Sequence, residues 1–201
     1  MVGNLFRGFC YWLYRNAKRY QRERRKLFYA QKAIINETAK IEDVAVIKNN
    51  RDRSCIQIGY KTLFKGEAMT FRHGGQITIG DYCFVGEQTK IWSAKKITIG
   101  NRVLISHNVN IHDQISHPLN SAERHEDYKY IFENGFQPEL DLKEKEVIIG
   151  DDVWIGCNVT ILKGVTIGKG AIIGACTLIT EDVPEFAVIA GNPARIIKKS
   201  D

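Results

Sequence analysis

The sequence lacks any Cys-x-x-Cys pair, and its five cysteines are odd in number. Both facts argue against a disulfide framework, and the missing pair argues against a zinc knuckle. Unpaired cysteines suit a reducing compartment, so we expect a cytoplasmic protein. The five residues are Cys10, Cys55, Cys83, Cys157 and Cys176.

A long hydrophobic run is also missing. The apolar stretch near the N terminus is about ten residues long and contains Arg7, whereas a membrane-spanning helix needs roughly 20 apolar residues. Positive charge follows this stretch and no small-residue cleavage site precedes Arg15, so we do not expect a signal peptide. Val2 follows the first methionine in place of glycine, so myristoylation is not expected either.

Acidic residues are almost absent from residues 1–32. This segment holds nine Lys or Arg and one acid, Glu23, for a net charge of +8, while the other 169 residues sum to −2. The repeat region has no basic stripe, so nucleic-acid binding is not indicated. Residues 1–40 are predicted to form a basic amphipathic helical arm. Its first half is aromatic, with Phe6, Phe9, Tyr11, Trp12 and Tyr14.

Two interpretations of the arm remain open. Residues 1–32 could lie on an anionic membrane surface, which would place the protein peripherally on the inner face of the membrane. Alternatively, the helix could cap the open end of the core, with its cations merely solvated. Composition alone does not decide between them.

An isoleucine recurs at every sixth position towards the C terminus. Because six is a multiple of the two-residue strand period, these side chains face the same way, while glycines keep each strand short. Such strands can close after three sides into a triangular coil of about 18 residues, and stacked coils pair as parallel strands. The series comprises Ile149, Ile155, Ile161, Ile167, Ile173 and Ile179, and upstream Ile79, Val85, Ile91, Ile105 and Ile111, with a slip at Ile97 and Ile99.

A second inward position is expected four residues after each member of the series. These positions hold mostly small or β-branched residues, as a narrow prism requires. An ordinary β-sandwich would instead show hairpin signals every 8 to 12 residues or so. The second positions are Cys83, Thr89, Val103, Val109, Val153, Val159, Val165, Ala171 and Thr177.

Three segments carry a family resemblance. The run IGDDVWIGCNVTILKGVTIG, the SHP at 116–118 and the ending EDVPEFAVIAGNPARIIKK resemble the hexapeptide-repeat O-acetyltransferases, the group of the maltose and galactoside acetyltransferases. The resemblance covers residues 77–199 and implies an all-β, left-handed parallel β-helix. We therefore expect an acetyltransferase domain at 41–201, with a loop insertion at 113–147 and a C-terminal cap. A homotrimer with acetyl-CoA bound between subunits is also implied.

The resemblance places the catalytic base at His117, at the root of the insertion. A sugar hydroxyl is a poor nucleophile near neutral pH, and histidine, with an unperturbed pKa of about 6.5, suits removal of its proton. The backbone N–H of Cys157 would stabilise the oxyanion formed from the thioester carbonyl. Arg195 and Lys198 would lie near the cofactor phosphates. The implied cofactor-binding residues are Trp154, Cys157, Ala175, Thr180, Arg195 and Lys198, and no metal is implied.

The acceptor is less well specified. Where the sugar acetyltransferases have an asparagine and an aspartate in contact with the acceptor, this chain has Gly86 and Ala94. The basic arm favours a saccharide precursor of a cell-surface polysaccharide. An antibiotic acetyltransferase of the same fold is the alternative.

Two further alternatives follow from the residues. His107 and His112 are five apart, as two zinc ligands are in the γ-carbonic anhydrases. A third ligand is the difficulty, because His73 falls outside the six-residue register. The other alternative is a β-helix scaffold without enzymatic activity.

Overall fold

The computed structural model describes residues 2–135, 137 and 141–199, with side chains from residue 7 onward. Met1, residues 136, 138–140 and 200–201, and the side chain of Phe6 lie outside the described residues. Within the described range the chain forms two α-helices, a short 3-10 helix at Arg53–Cys55 and twenty strands. Neither of these helices is long and apolar enough to cross a membrane.

The strands form three sheets along the sides of a triangular prism. Sheet A contains β1 (Ile34–Ile35), β4 (Ile56–Ile58), β7 (Ile77–Ile79), β10 (Ile97–Ile99), β13 (Val147–Ile149) and β16 (Thr166–Ile167). Sheet B contains β2 (Lys40–Ile41), β5 (Leu63–Phe64), β8 (Phe84–Val85), β11 (Leu104–Ile105), β14 (Trp154–Ile155), β17 (Ile172–Ile173), β19 (Ala187–Ala190) and β20 (Arg195–Lys199). Sheet C contains β3 (Val46–Lys48), β6 (Glu67–Thr70), β9 (Lys90–Ser93), β12 (Asn110–His112), β15 (Thr160–Ile161) and β18 (Leu178–Ile179).

Each coil contributes one strand to each sheet and pairs with the next coil in parallel. For example, Ile97 of β10 stands in register with Ile77 below and Val147 above. Strand β20 is antiparallel to β19 and closes the C-terminal end of sheet B. The triangular, stacked coil predicted from the isoleucine series is therefore confirmed.

The core fills the inside of the prism. All of the predicted series from Ile79 to Ile179 is buried, and the nine second positions are at most 3% exposed. Fully burying an aliphatic side chain contributes about 1.5–3 kcal/mol relative to leaving it in water. The six-residue repeat thus supplies a continuous apolar column that holds the coils together.

The prism extends upstream of Ile77, where the six-residue series is less regular. Two coils precede Ile77, and β1 starts before the boundary expected between residues 40 and 41. In the first coil, Ile41 and Ile47 are buried. An excursion at residues 49–55, which ends in the 3-10 helix, separates the first coil from the second and shifts the register.

Helix α1 (Val2–Ala30) precedes this first coil and packs on it through its C-terminal third. Tyr29 is buried, and its hydroxyl donates to the carbonyl of Ala45 at 3.0 Å. Arg22 pairs with Glu42 at 3.1 Å. The end of the arm therefore covers the open end of the core.

The insertion between β12 and β13 has secondary structure of its own. It contains helix α2 (Ser121–Asn134), whose first turn is capped by the side chain of Asn120. Gly135 ends the helix with a positive φ of 76°, which glycine adopts without strain.

Candidate active site

The insertion leaves the prism at the corner between sheets C and A, and its root is fixed by a buried carboxylate. Asp113 accepts hydrogen bonds from the Ser93 hydroxyl at 2.6 Å and from the N–H groups of Ala94 at 2.7 Å and Lys95 at 2.9 Å. The returning stem bonds back, since Lys145 donates its N–H to the Asp113 carbonyl at 2.9 Å. Both stems are thereby tied to the preceding coil.

His117 lies just beyond this root and is held by helix α2. Its Nδ1 is 2.9 Å from Oδ2 of Asp127, a residue whose side chain is 1% exposed. Gln137 donates its side-chain amide to the other carboxylate oxygen of Asp127 at 3.1 Å. Asp127 therefore keeps hydrogen-bond partners on both oxygens despite its burial.

This contact assigns the roles of the two imidazole nitrogens. A carboxylate can only accept, so Nδ1 of His117 carries the proton that it donates to Asp127. Nε2 is then the unprotonated nitrogen, and no described residue bonds to it. The side chain of His117 is 47% exposed. An imidazole held in one tautomer, with its free nitrogen accessible, can take a proton from a hydroxyl.

Asp127 is the functional residue that the sequence analysis missed. Two signals could have indicated its helix: Asn120 with Glu123 three positions later is a capping pattern, and Gly135 is a stop signal. The helix pattern alone would not have selected Asp127 from the other acids of the segment. Its selection depends on how the helix packs over the root.

Two of the implied cofactor residues meet at the corner between sheets B and C. Cys157 and Ala175 occupy this corner on successive coils, and the Cys157 carbonyl accepts from Cys176 N–H at 2.9 Å. The coils approach closely here, because a Cβ on Gly156 would lie 2.7 Å from the Ala175 nitrogen. Among the described residues, none accepts a hydrogen bond from the Cys157 N–H. The donor expected at this position is therefore free of described partners.

The remaining implied residues lie elsewhere. Trp154 is half exposed on sheet B, next to the Cys157 corner. Thr180 is exposed at the corner between sheets C and A, and Arg195 and Lys198 are exposed on β20. Within one chain, His117 and Cys157 thus lie beyond opposite edges of sheet C. A single chain does not bring the two together.

The two acceptor positions have structural roles. A Cβ on Gly86 would lie 2.5 Å from the carbonyl carbon of Ser106, so the stacked coils leave no room for a side chain. Ala94 is buried and donates its N–H to Asp113. Neither residue has a polar side chain, so neither can replace the contacts that the asparagine and the aspartate of the sugar acetyltransferases make with the acceptor.

The zinc alternative finds no ligand set in the described part of the chain. No group of three His, Cys, Asp or Glu is close enough there to hold a metal ion. The ring of His112 packs edge-on against Trp92, with centroids 5.4 Å apart, and burial lowers its pKa. His107 lies on the corner between sheets B and C, beside Ser106.

Comparison with known proteins identifies the repeat. Residues 146–181 match the family described as bacterial transferase hexapeptide (six repeats). A solved structure, the hexapeptide-repeat acetyltransferase from Vibrio cholerae O1 biovar eltor in complex with acetyl coenzyme A, superposes with a TM-score of 0.55 at 25% identity. The match covers 89% of this chain and 77% of that one. The predicted left-handed parallel β-helix is confirmed.

Curated relatives include sugar acetyltransferases. The galactoside O-acetyltransferase of Escherichia coli K12 is 34% identical over 129 residues, which are 64% of this chain and 57% of that protein. The polysialic acid O-acetyltransferase of Escherichia coli O1:K1 / APEC is 31% identical over 146 residues, or 72% of this chain and 43% of that protein. The chain spans about half the length of these curated relatives.

Proposed function

We propose that this chain, whose residues 146–181 match the hexapeptide transferase family, moves an acetyl group from acetyl-CoA to a hydroxyl of a saccharide. The observation that carries the proposal is the pairing of His117 with the buried Asp127 on a hexapeptide-repeat prism. The relatives named for acetylation of galactosides and polysialic acid support a sugar acceptor. A precursor of a cell-surface polysaccharide is the acceptor we favour.

The reaction needs no covalent enzyme intermediate. Nε2 of His117 takes the proton of the acceptor hydroxyl as its oxygen attacks the thioester carbonyl carbon. Asp127 stabilises the imidazolium that forms, because its carboxylate faces Nδ1. The N–H of Cys157 donates to the developing oxyanion. When the tetrahedral intermediate collapses, the imidazolium returns the proton to the departing thiolate of coenzyme A.

A test of this activity follows the release of coenzyme A. Purified protein is incubated with acetyl-CoA, and free thiol is measured with and without candidate saccharides. We expect thiol release to depend on the saccharide and to saturate with it. Release at the same rate without any acceptor would contradict transfer to a hydroxyl.

We propose further that the active site lies between two copies of the chain, in a homotrimer. Since His117 and Cys157 lie on opposite sides of sheet C, a site with both requires a neighbouring subunit. Sheet B offers an apolar outer surface for such contact. Its outward residues stand in register from coil to coil. They are Leu63, Phe84, Leu104, Trp154 and Ile172.

The trimer proposal predicts that Leu104→Glu separates the subunits. Leu104 is half exposed in one chain, and a carboxylate in an apolar interface is costly to desolvate. We expect a monomer by light scattering, with activity at least about tenfold lower, because the interface and the site are lost together. Thr98→Glu, on sheet A of the same coil, is the matched control. A trimeric and active Leu104→Glu variant would contradict this interface.

Arg195 is proposed to contact a phosphate of acetyl-CoA. A charge-assisted hydrogen bond contributes about 1.5–3 kcal/mol, so Arg195→Ala should raise the KM for acetyl-CoA about ten- to a hundredfold, with a smaller effect on kcat. Calorimetry with acetyl-CoA measures the affinity directly. Lys199→Ala, on the same exposed strand, is the control and should bind normally. Equal affinity in both variants would show that Arg195 has no such contact.

We propose a cytoplasmic location for the reaction. All five cysteines are free in the structure, including the exposed Cys10 and Cys176, which suits a reducing compartment. Fractionation of cells with an antibody against the chain tests this. Recovery of the protein in the fraction from the outer side of the cytoplasmic membrane would contradict this location.

A further inference from the structure

Helix α1 has one side committed to the prism. Arg22 pairs with Glu42 at 3.1 Å, and Arg25 donates to the Glu42 carbonyl at 3.2 Å. One turn later Tyr29 inserts into the core. These residues recur every three or four positions, so they define a single face of the helix.

The opposite side of α1 carries an apolar strip. Because successive residues turn by about 100°, the strip residues fall within an arc of about 100° that points away from the prism-facing side. Each of them is between 46% and 71% exposed. The strip consists of Phe9, Trp12, Leu13, Tyr20 and Leu27.

Cations border the strip. Arg19 and Arg24 lie on its two flanks, whereas Arg15 and Lys18 lie further round the helix towards the prism-facing side, and all four are exposed. In the part of the chain that the structure describes, no acidic side chain forms an ion pair with any of these four. Asn16 and Glu23 project within the same arc as the strip. The face that turns away from the prism is therefore mostly apolar, with one acid among its apolar residues and a cation on each edge.

We propose that this strip docks on the surface of an anionic lipid bilayer. Aromatic side chains with one polar edge, such as Trp12 and Tyr20, suit the headgroup region, and each nearby cation is attracted by anionic lipid. A second copy of the helix is a poorer occupant, because two segments of charge +8 would repel each other. The helix thus caps the prism with one face and contacts the membrane with the other.

This docking would place the proposed active site at a fixed height. The insertion that carries His117 leaves the fourth coil, three coils above the one that α1 covers. At about 4.8 Å per coil, the site lies roughly 15 Å along the prism from that end. The diameter of α1, about 10 Å, adds to the distance from the bilayer. If the proposed function holds, such a height suits an acceptor sugar joined to a lipid.

The test is co-sedimentation of the full chain with vesicles. Neutral phosphatidylcholine vesicles are compared with vesicles that also contain phosphatidylglycerol. We expect binding to the anionic vesicles and release by salt, because surface charges are screened. The double variant Phe9→Ser/Trp12→Ser should bind at least about tenfold more weakly. Tyr11→Ser/Tyr14→Ser removes two equally exposed aromatics off the strip and should bind within about threefold of the parent.

Three outcomes would overturn the inference. The parent chain could fail to bind anionic vesicles, or the two double variants could lose vesicle binding equally. Light scattering could also show that the parent chain forms an assembly of several copies which only the Phe9→Ser/Trp12→Ser variant disrupts. Melting curves of both variants should match the parent, since Tyr29 and Arg22 still hold the helix. Turnover of a soluble saccharide without vesicles is measured separately. Its absence in the parent would count against the proposed function and leave lipid docking unaffected.

Discussion

His117→Ala is expected to lower kcat by about 10²- to 10⁴-fold, because the acceptor hydroxyl would lose its base. The KM for acetyl-CoA should change little. Among the proposed cofactor residues, Trp154, Cys157 and Ala175 lie on or beside sheet B, Arg195 and Lys198 lie on β20, and Thr180 stands two coils beyond the insertion. Steady-state kinetics with acetyl-CoA and a saccharide acceptor measure both constants.

A second histidine of the insertion supplies the control. His125 is exposed on α2, in the same segment as His117, and no described residue bonds to its ring. His125→Ala should keep kcat within about twofold, because an exposed side chain without a bonded partner usually tolerates substitution with little effect. Full turnover by a folded His117→Ala variant, or equal losses in both variants, would remove His117 from the mechanism.

Asp127→Asn is expected to lower kcat by about 10²- to 10³-fold with little change in KM, because it removes the charge that orients His117 and stabilises the imidazolium. The amide has nearly the shape of the carboxylate, so helix α2 should keep its place. Asp127 acts through His117 and is a positioning residue. The separation of kcat from KM is therefore the informative result.

The matched control for Asp127→Asn is Glu126→Gln. Glu126 precedes Asp127 on the same helix but is exposed and pairs with Lys129 at 2.8 Å. Exposed pairs contribute little to stability, so this variant should behave as the parent. If Asp127→Asn raised the KM for the acceptor and left kcat unchanged, Asp127 would have a role in binding instead.

The fold was largely predictable because a single period governs it. Every sixth residue must be aliphatic to fill a narrow prism, and this requirement is visible in the sequence from Ile77 onward. The first coil is harder to detect in the sequence, although Ile35, Ile41 and Ile47 keep the six-residue step. Residues 49–55 interrupt the register, and glycines do not mark these corners. The handedness came only from the family resemblance, since a period does not specify it.

The active site was predictable in part. The family motif gave His117, whereas its partner Asp127 is brought to it by a helix whose position depends on packing. The distribution of the site between subunits is not encoded in local patterns, because it depends on which corners of the prism carry His117 and Cys157. The arm shows a similar limit. Its composition is compatible with a cap or a membrane anchor. The positions of its residues around the helix axis separate the face that packs on the prism from the apolar strip on the opposite face.

The most direct measurement is mass spectrometry of candidate glycans after incubation with acetyl-CoA, performed in parallel with the parent chain and His117→Ala. Isotopically labelled acetyl-CoA identifies the transferred group. We expect labelled acetyl esters on the glycan hydroxyls with the parent chain and only traces with the variant. Labelled glycan in equal amounts from both proteins, or labelled acetyl groups on the protein and none on any glycan, would contradict base-catalysed transfer to a saccharide.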